Sequence, residues 1–315
     1  MPDKIIIDTD PGVDDAMAIF FALNSPELDV LGLTTTFGNV SVDMATDNAL
    51  RLLEMIGKDI PVARGASTPW AQNLLPYPDF VHGADGFGNV NLPAPTGSPI
   101  ELTAAEFIVQ QVLANPNEVT LVAVGPLVNL ALALKLDPSI AKLVKKVVIM
   151  GGTINEPGNV SPVAEANIFC DPHAADIVFK ADWPVHMIGL DVTHKVLMMD
   201  ALQERVRDAN PAFGEFLYKA GRFYSDFYKA NRGAEGCYVH DSSAVAYAIN
   251  PDLFDVVKGP VRVATDGLAK GQTILKHTDY TYPEDHWDNI TDSYVCMGVN
   301  EAGVLALYEN AMTRG

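Results

Sequence analysis

The chain has 315 residues, 48% hydrophobic and 19% charged, with 40 acidic against 21 basic side chains and a formal net charge of -19. Such a composition describes a large apolar core and excludes a disordered or fibrous chain, while the acidic excess without Lys/Arg clusters excludes duplex or single-stranded nucleic acid as a partner. Cys170, Cys237 and Cys296 are odd in number, far apart and outside any paired-Cys motif, so neither a disulfide framework nor a zinc site is expected and all three read as ordinary buried thiols.

The first apolar run, Lys4-Ile-Ile-Ile7, reads as a buried strand. It leads into Asp8-Thr-Asp-Pro-Gly-Val-Asp-Asp15, where Pro11-Gly12 marks a turn and Ala16 to Leu23 a helix. Four carboxylates in one turn repel each other unless a cation or a positive dipole compensates them. Asp8, Asp10, Asp14 and Asp15 are therefore candidate oxygen donors to a hard cation such as Ca2+, or to a polyol. A plainer reading has Asp10 in an Asx turn and Asp14 and Asp15 at the positive end of the helix, which accounts for two of the four better than for all. An EF-hand loop is excluded, because Gly12 stands fifth from Asp8 where that loop needs a sixth-position glycine.

Further strands are expected over residues 30–36, 119–124, 146–150 and 185–190, and helices over 43–56, 104–113, 127–134, 172–179 and 200–209. Their alternation predicts one α/β domain over residues 1–315, an open and mostly parallel sheet with helices on both faces. Residues 69–99, rich in Pro, Gly and Asn, predict a long surface segment rather than a packed element. The N-terminal apolar run is too short for a signal peptide and no later stretch approaches a membrane span, so the expected compartment is the cytoplasm, with no membrane partner. Polar and glycine residues follow strand after strand: Asp10, Phe37-Gly-Asn39, Gly125-Pro-Leu-Val-Asn129 and Gly151-Gly-Thr-Ile-Asn155. In open α/β sheets such loops converge on one crevice beyond the carboxyl ends of the strands.

The opening octapeptide resembles the N-terminal signature of the inosine-uridine preferring nucleoside hydrolase family. Thr36-Phe-Gly-Asn39, Val81-His-Gly-Ala-Asp-Gly86, Gly125-Pro-Leu-Val-Asn129, Met150-Gly-Gly152, Glu165-Ala-Asn167 and Val239-His-Asp241 follow in the family order. The resemblance implies that family's fold, with its Rossmann-like core, and metal-assisted hydrolysis of the N-glycosidic bond of purine or pyrimidine ribonucleosides to ribose and free base. It implies one Ca2+ per subunit held by Asp10, Asp15, the Val124 carbonyl and Asp241. Asp14, Asn39 and Asn167 would then bind ribose hydroxyls, Asn159 and Glu165 would reach the 5′-hydroxyl, and Met150 would pack beneath the sugar. It implies a closed homodimer or homotetramer.

Chemistry bears on these roles independently. Water near a weak Lewis acid such as Ca2+ still needs a carboxylate base, and Asp10 is the choice. Carboxylates and amides can stabilise an oxocarbenium-like sugar. The departing base needs a proton, for which His240 is the first candidate and His82 the second. Taken alone, His240-Asp241 could simply start a helix, and Tyr224 and Tyr228, at helical spacing, read as core; the resemblance brings both tyrosines near the base. Ala166 departs from the phenylalanine common there in the family, which removes an aromatic wall; Val124 replaces a common threonine but keeps its carbonyl. Competing functions are a non-catalytic, metal-dependent nucleoside or sugar binder and, from Ile7-Asp-Thr-Asp10, a haloacid-dehalogenase-like phosphatase, whose late acidic motif has no counterpart here.

Overall fold

Ile5, Ile6 and Ile7 are each at most 1% exposed, and they alternate between two cores: Ile5 and Ile7 face one, Ile6 the other. Strand β1 (Asp3–Thr9) is thus covered on both faces, the environment that a continuous apolar run encodes. The computed structural model describes residues 1–276, 280–283 and 286–314, and among these the main sheet has eight strands. Its order is β3 (Val62–Arg64), β2 (Leu28–Thr35), β1, β4 (Val119–Ala123), β5 (Lys146–Met150), β6 (Val185–Ile188), then Ser293–Val299 and, at the edge, Phe254–Gly259. Neighbours run parallel except for the last pair, which is antiparallel.

The chain grows outward from β1 through β2 to β3, then returns to place β4 on the other side of β1. Connections after β1 and β4 therefore diverge to opposite faces and leave a crevice between them. The acidic octapeptide lies at that point. One core takes helices Val13–Leu23, Val42–Met55, Gly214–Arg232, His240–Ile249 and Glu301–Met312; the other takes Ala104–Ala114, Val128–Leu136 and Pro172–Lys180.

The expected elements form, with β5 and helix Asp200–Ala209 at the predicted bounds and the others displaced at their ends. The second strand starts earlier, at Leu28, and the helix expected over 43–56 is Val42–Met55, begun by Ser41, whose Oγ accepts from Met44 N at 3.3 Å. Two expectations need correction. Residues 69–99 are not wholly surface: the short helix Asp79–His82 turns the segment inward, burying His82 at 6% and Phe87 at 1% exposure. Cys237 and Cys296 are buried, whereas Cys170 is half-buried and lines the crevice. No helix of the described residues is long and apolar enough to cross a membrane.

Candidate active site

The crevice holds a cavity of about 560 Å³, within the range that takes a small ligand. Asp10 enters it from the end of β1, fully buried. Its Oδ2 accepts from Asn39 N at 2.6 Å, while its Oδ1 has no hydrogen-bond partner. Gly38 and Gly125 must be glycines for this approach, because a Cβ on either would collide with the Asp10 carboxylate.

Asp15 does what the plainer reading predicts, and more. At the third position of helix Val13–Leu23 its Oδ2 accepts from Gly12 N, and also from Asn39 Nδ2, each at 2.9 Å. Its Oδ1 accepts from Thr9 Oγ1 at 2.6 Å and Asp10 N at 3.3 Å. Asp8, by contrast, does not line the cavity: its Oδ1 accepts from Thr34 Oγ1 and Asn129 Nδ2, tying β1 to β2 and to helix Val128–Leu136, while its Oδ2 is buried without a partner.

Asp14, Asp15 and Asp241 each offer an oxygen within 4.8 Å of one another, all buried. Asp10 stands outside that triple with an unpartnered Oδ1, and within it Asp14 Oδ1 is likewise unpartnered. The Val124 carbonyl accepts from Asn167 Nδ2 at 2.8 Å, and the same amide reaches the Met150 carbonyl at 3.2 Å. Glu165 caps helix Ala166–Cys170, accepting from Asn167 N, Ile168 N and Gly152 N; Asn159 Oδ1 accepts from Ala166 N. Asp10, Asp14, Asp241, Val124, Glu165 and Asn167 line the cavity with Met150 and Asn159, and Phe169 and Val160 add apolar wall beside Ala166.

Burial pushes every carboxyl here up. Asp14 and Asp15 rise to about 6, Glu165 to about 7, and Asp10 and Asp241 well above the usual range, with the neighbouring aspartates raising Asp10, Asp15 and Asp241 further. Uncompensated, such a set cannot be fully ionised. Hard oxygen donors, unpartnered buried oxygens and mutual repulsion together fit a divalent cation.

On the other wall a hydrogen-bonded chain runs from Asp14. Tyr224 OH donates to Asp14 Oδ2 at 3.0 Å, Tyr228 OH lies 3.2 Å from Tyr224 OH, and His240 Nε2 lies 2.9 Å from Tyr228 OH. Thr193 Oγ1 closes it, 2.8 Å from His240 Nδ1. Each hydroxyl has one proton, so with Tyr224 donating to Asp14, Tyr228 donates to Tyr224 and His240 Nε2–H to Tyr228. Burial, then His194, Arg232 and His82, hold the His240 pKa well below the usual value, so the ring is neutral and its Nδ1 accepts from Thr193. His82 accepts from Val13 N through Nδ1 at 3.2 Å, packs 5.4 Å from the Tyr224 ring, and is lowered by burial to about 4. Burial outweighs the carboxylates nearby, Asp14 Oδ1 lying 3.8 Å from His82 Nδ1, so neither candidate proton donor is charged at neutral pH.

Thr193 carries no sequence signal, because it meets His240 only through the fold. The same is true of Arg232, at the cavity mouth. Tyr224 and Tyr228 are buried, as core spacing implies, and also line the cavity.

Residues 5–306 match the family model described as inosine-uridine preferring nucleoside hydrolase. A probable uridine nucleosidase 2 of Arabidopsis thaliana is 45% identical over 307 residues, covering 96% of this chain and 95% of its own. The inosine-uridine preferring nucleoside hydrolase of Leishmania major is 40% identical over 287 residues, 90% of each chain. Among solved structures, a plant nucleoside hydrolase superposes with a TM-score of 0.95 at 41% identity over 100% of both chains. A purine-preferring ribonucleoside hydrolase from Gardnerella vaginalis gives 0.92 at 34% over 98% of each.

Proposed function

The chain belongs to the inosine-uridine preferring nucleoside hydrolase family, enzymes that act on ribonucleosides, and from that premise we propose a Ca2+-dependent cleavage of the N-glycosidic bond of purine and/or pyrimidine ribonucleosides, giving ribose and free base. The observation that carries it is the pair of buried, unpartnered carboxylate oxygens, Asp10 Oδ1 and Asp14 Oδ1, inside a cluster of aspartates. Asp10, Asp15, Asp241 and the Val124 carbonyl would hold one Ca2+ per subunit. Bound there, the ion would neutralise the cluster, polarise a water and engage ribose hydroxyls.

Asp10 takes a proton from the water that attacks C1′, since its Oδ1 is buried without a donor on a side chain that lines the cavity, as Asp8 does not. As the new C1′–O bond forms and the C1′–N bond breaks, the bond's electron pair leaves with the base. The ring of carboxylates and the Asn39 and Asn167 amides stabilise the positive sugar. Asp14, Asn39 and Asn167 bind the ribose hydroxyls, Asn159 and Glu165 the 5′ end, and Met150 packs beneath. Asn39 and Asn167 each hold one bond of the site, to Asp15 and to the Val124 carbonyl, and keep an amide oxygen and a further N–H for the ribose.

The departing base takes up a proton equal to the one Asp10 removes from the water; His240 is the first candidate to deliver it, reprotonated through Tyr228 and Tyr224 as it does so because a neutral imidazole alone is too weak an acid, and His82, beside Tyr224, is the second. The reading includes a closed homodimer or homotetramer. Ribose release from inosine, adenosine, guanosine, uridine and cytidine tests it: stripping with chelator should abolish turnover and Ca2+ should restore it. Release that survives thorough metal removal would sink the Ca2+ dependence.

A further inference from the structure

The short helix Leu190–Thr193, directly after β6, sends two buried side chains to two walls of the site. Asp191 accepts from Ile154 N, Asn155 N and Glu156 N in the loop that leads to Asn159. Thr193, fully buried, meets His240 instead, with its Oγ1 2.8 Å from Nδ1. A threonine hydroxyl in a helix has a ready acceptor in the carbonyl four residues back. Here that carbonyl, Gly189 O, already takes Val192 N and Thr193 N, each at 3.1 Å. The hydroxyl's one hydrogen bond among the described residues is to the imidazole. Rings of His194 and Tyr238 also pack on His240, with centroids 5.6 and 5.8 Å away. Such contacts fix the plane of the imidazole without telling nitrogen from carbon. Tyr228 OH, 2.9 Å from Nε2, and Thr193 do tell them apart.

We propose that Thr193 is a positioning residue for protonation of the departing base: by donating to Nδ1 it keeps the mobile proton of His240 on Nε2. This rests on the hydrolase reading above, with His240 as the donor. A neutral imidazole carries one proton, on either nitrogen. With Thr193 donating, Nδ1 is an acceptor and Nε2–H joins the chain that Tyr228 and Tyr224 continue. In the other tautomer Nδ1–H would face Thr193, the threonine's own proton would lose its acceptor inside the fold, and Nε2 would have no proton to give. The Nε2 proton goes to the base nitrogen that keeps the C1′–N electron pair, and Tyr228 returns one to Nε2. The count closes with the proton that Asp10 takes from the attacking water.

The alternative is that Thr193 only fills space in the core. Two substitutions separate these roles, because Thr193→Val keeps the volume and loses the hydroxyl, whereas Thr193→Ser keeps the hydroxyl and loses the methyl. In the Ca2+-loaded enzyme, kcat and KM are compared for inosine, uridine and para-nitrophenyl riboside, whose nitrophenolate leaves without a proton. Thr193→Val should lower kcat on both nucleosides by roughly tenfold or more, with KM moving far less and para-nitrophenyl riboside turnover falling far less. Thr193→Ser should recover most of the nucleoside kcat. Equal losses on all three substrates, an unchanged nucleoside kcat in Thr193→Val, or a serine variant as impaired as the valine one overturn the assignment. Side-chain nitrogen shifts of His240 in NMR test it in the wild-type protein, even if the valine variant does not fold: Nε2 should carry the proton, and a proton on Nδ1 overturns the inference. A wild-type enzyme that releases ribose from none of the three substrates overturns the hydrolase reading, and this inference with it.

Discussion

Asp10 is confined on every side. Asn39 N holds one oxygen at 2.6 Å, Gly38 and Gly125 leave it no further room, and the other oxygen is buried and bare. Replacing it by asparagine keeps the shape and removes the capacity to take a proton. Asp10→Asn should therefore lower kcat by about a thousandfold while weakening nucleoside binding far less, as steady-state kinetics and calorimetry would show; an intact kcat would remove Asp10 from that role. At this scale the sequence was most legible where residues are adjacent. Asp8, Asp10, Asp14 and Asp15 announced a shared task because their crowding is written in one octapeptide. Their division is a product of folding: Asp15 both caps a helix and joins the cluster, and Asp8 only braces strands. Thr193 and Arg232 have no local pattern to read, since an unpaired arginine differs from a paired one only in its surroundings.

The loop after β5 shows how one side chain can hold an element that has no regular hydrogen bonding. Asp191, 4% exposed, accepts from Ile154 N at 2.7 Å, Asn155 N at 2.8 Å and Glu156 N at 3.2 Å. That loop leads to Asn159 on the cavity wall. Asp191→Ala leaves these amides without their acceptor and should cost about 3 kcal/mol of stability in urea unfolding. KM should rise with it, because Asn159 would lose its support; an unchanged KM would mean the loop is anchored elsewhere. Periodicity revealed the central strands and their helices since each is a long run buried on a constant face. It did not delimit Gly214–Arg232, whose 19 residues mix core, cavity and solvent positions, nor strand Phe254–Gly259, whose inner four residues are all exposed.

Across the whole molecule, one buried group remote from the cavity ties stability to pH. His186 on β6 bonds Tyr247 OH through Nδ1 at 2.7 Å and stacks on Tyr294 with centroids 4.4 Å apart. Burial, then Lys146 and Lys258, lower its pKa from 6.5 to about 4. The unfolded chain thus takes up this proton first, so the contribution of His186 is complete above about 6.5 and is lost as pH falls toward about 4, opposite in sign to that of the buried carboxyls raised in the cavity. His186→Phe should flatten part of that decline in urea melts across this window; an identical slope would show that other groups carry it. The sheet that holds His186 also sets an order of assembly. Asn129 meets Asp8 from 121 positions away and Tyr224 meets Asp14 from 210, while Asp241 lies farther still along the chain. During synthesis β1 can pair with β2 at once, but its other edge waits for β4, and the aspartates wait in water for a helix made much later. A ribosome-bound chain that stops short of Asp241 has the opening octapeptide in full and lacks the third carboxylate of the buried triple.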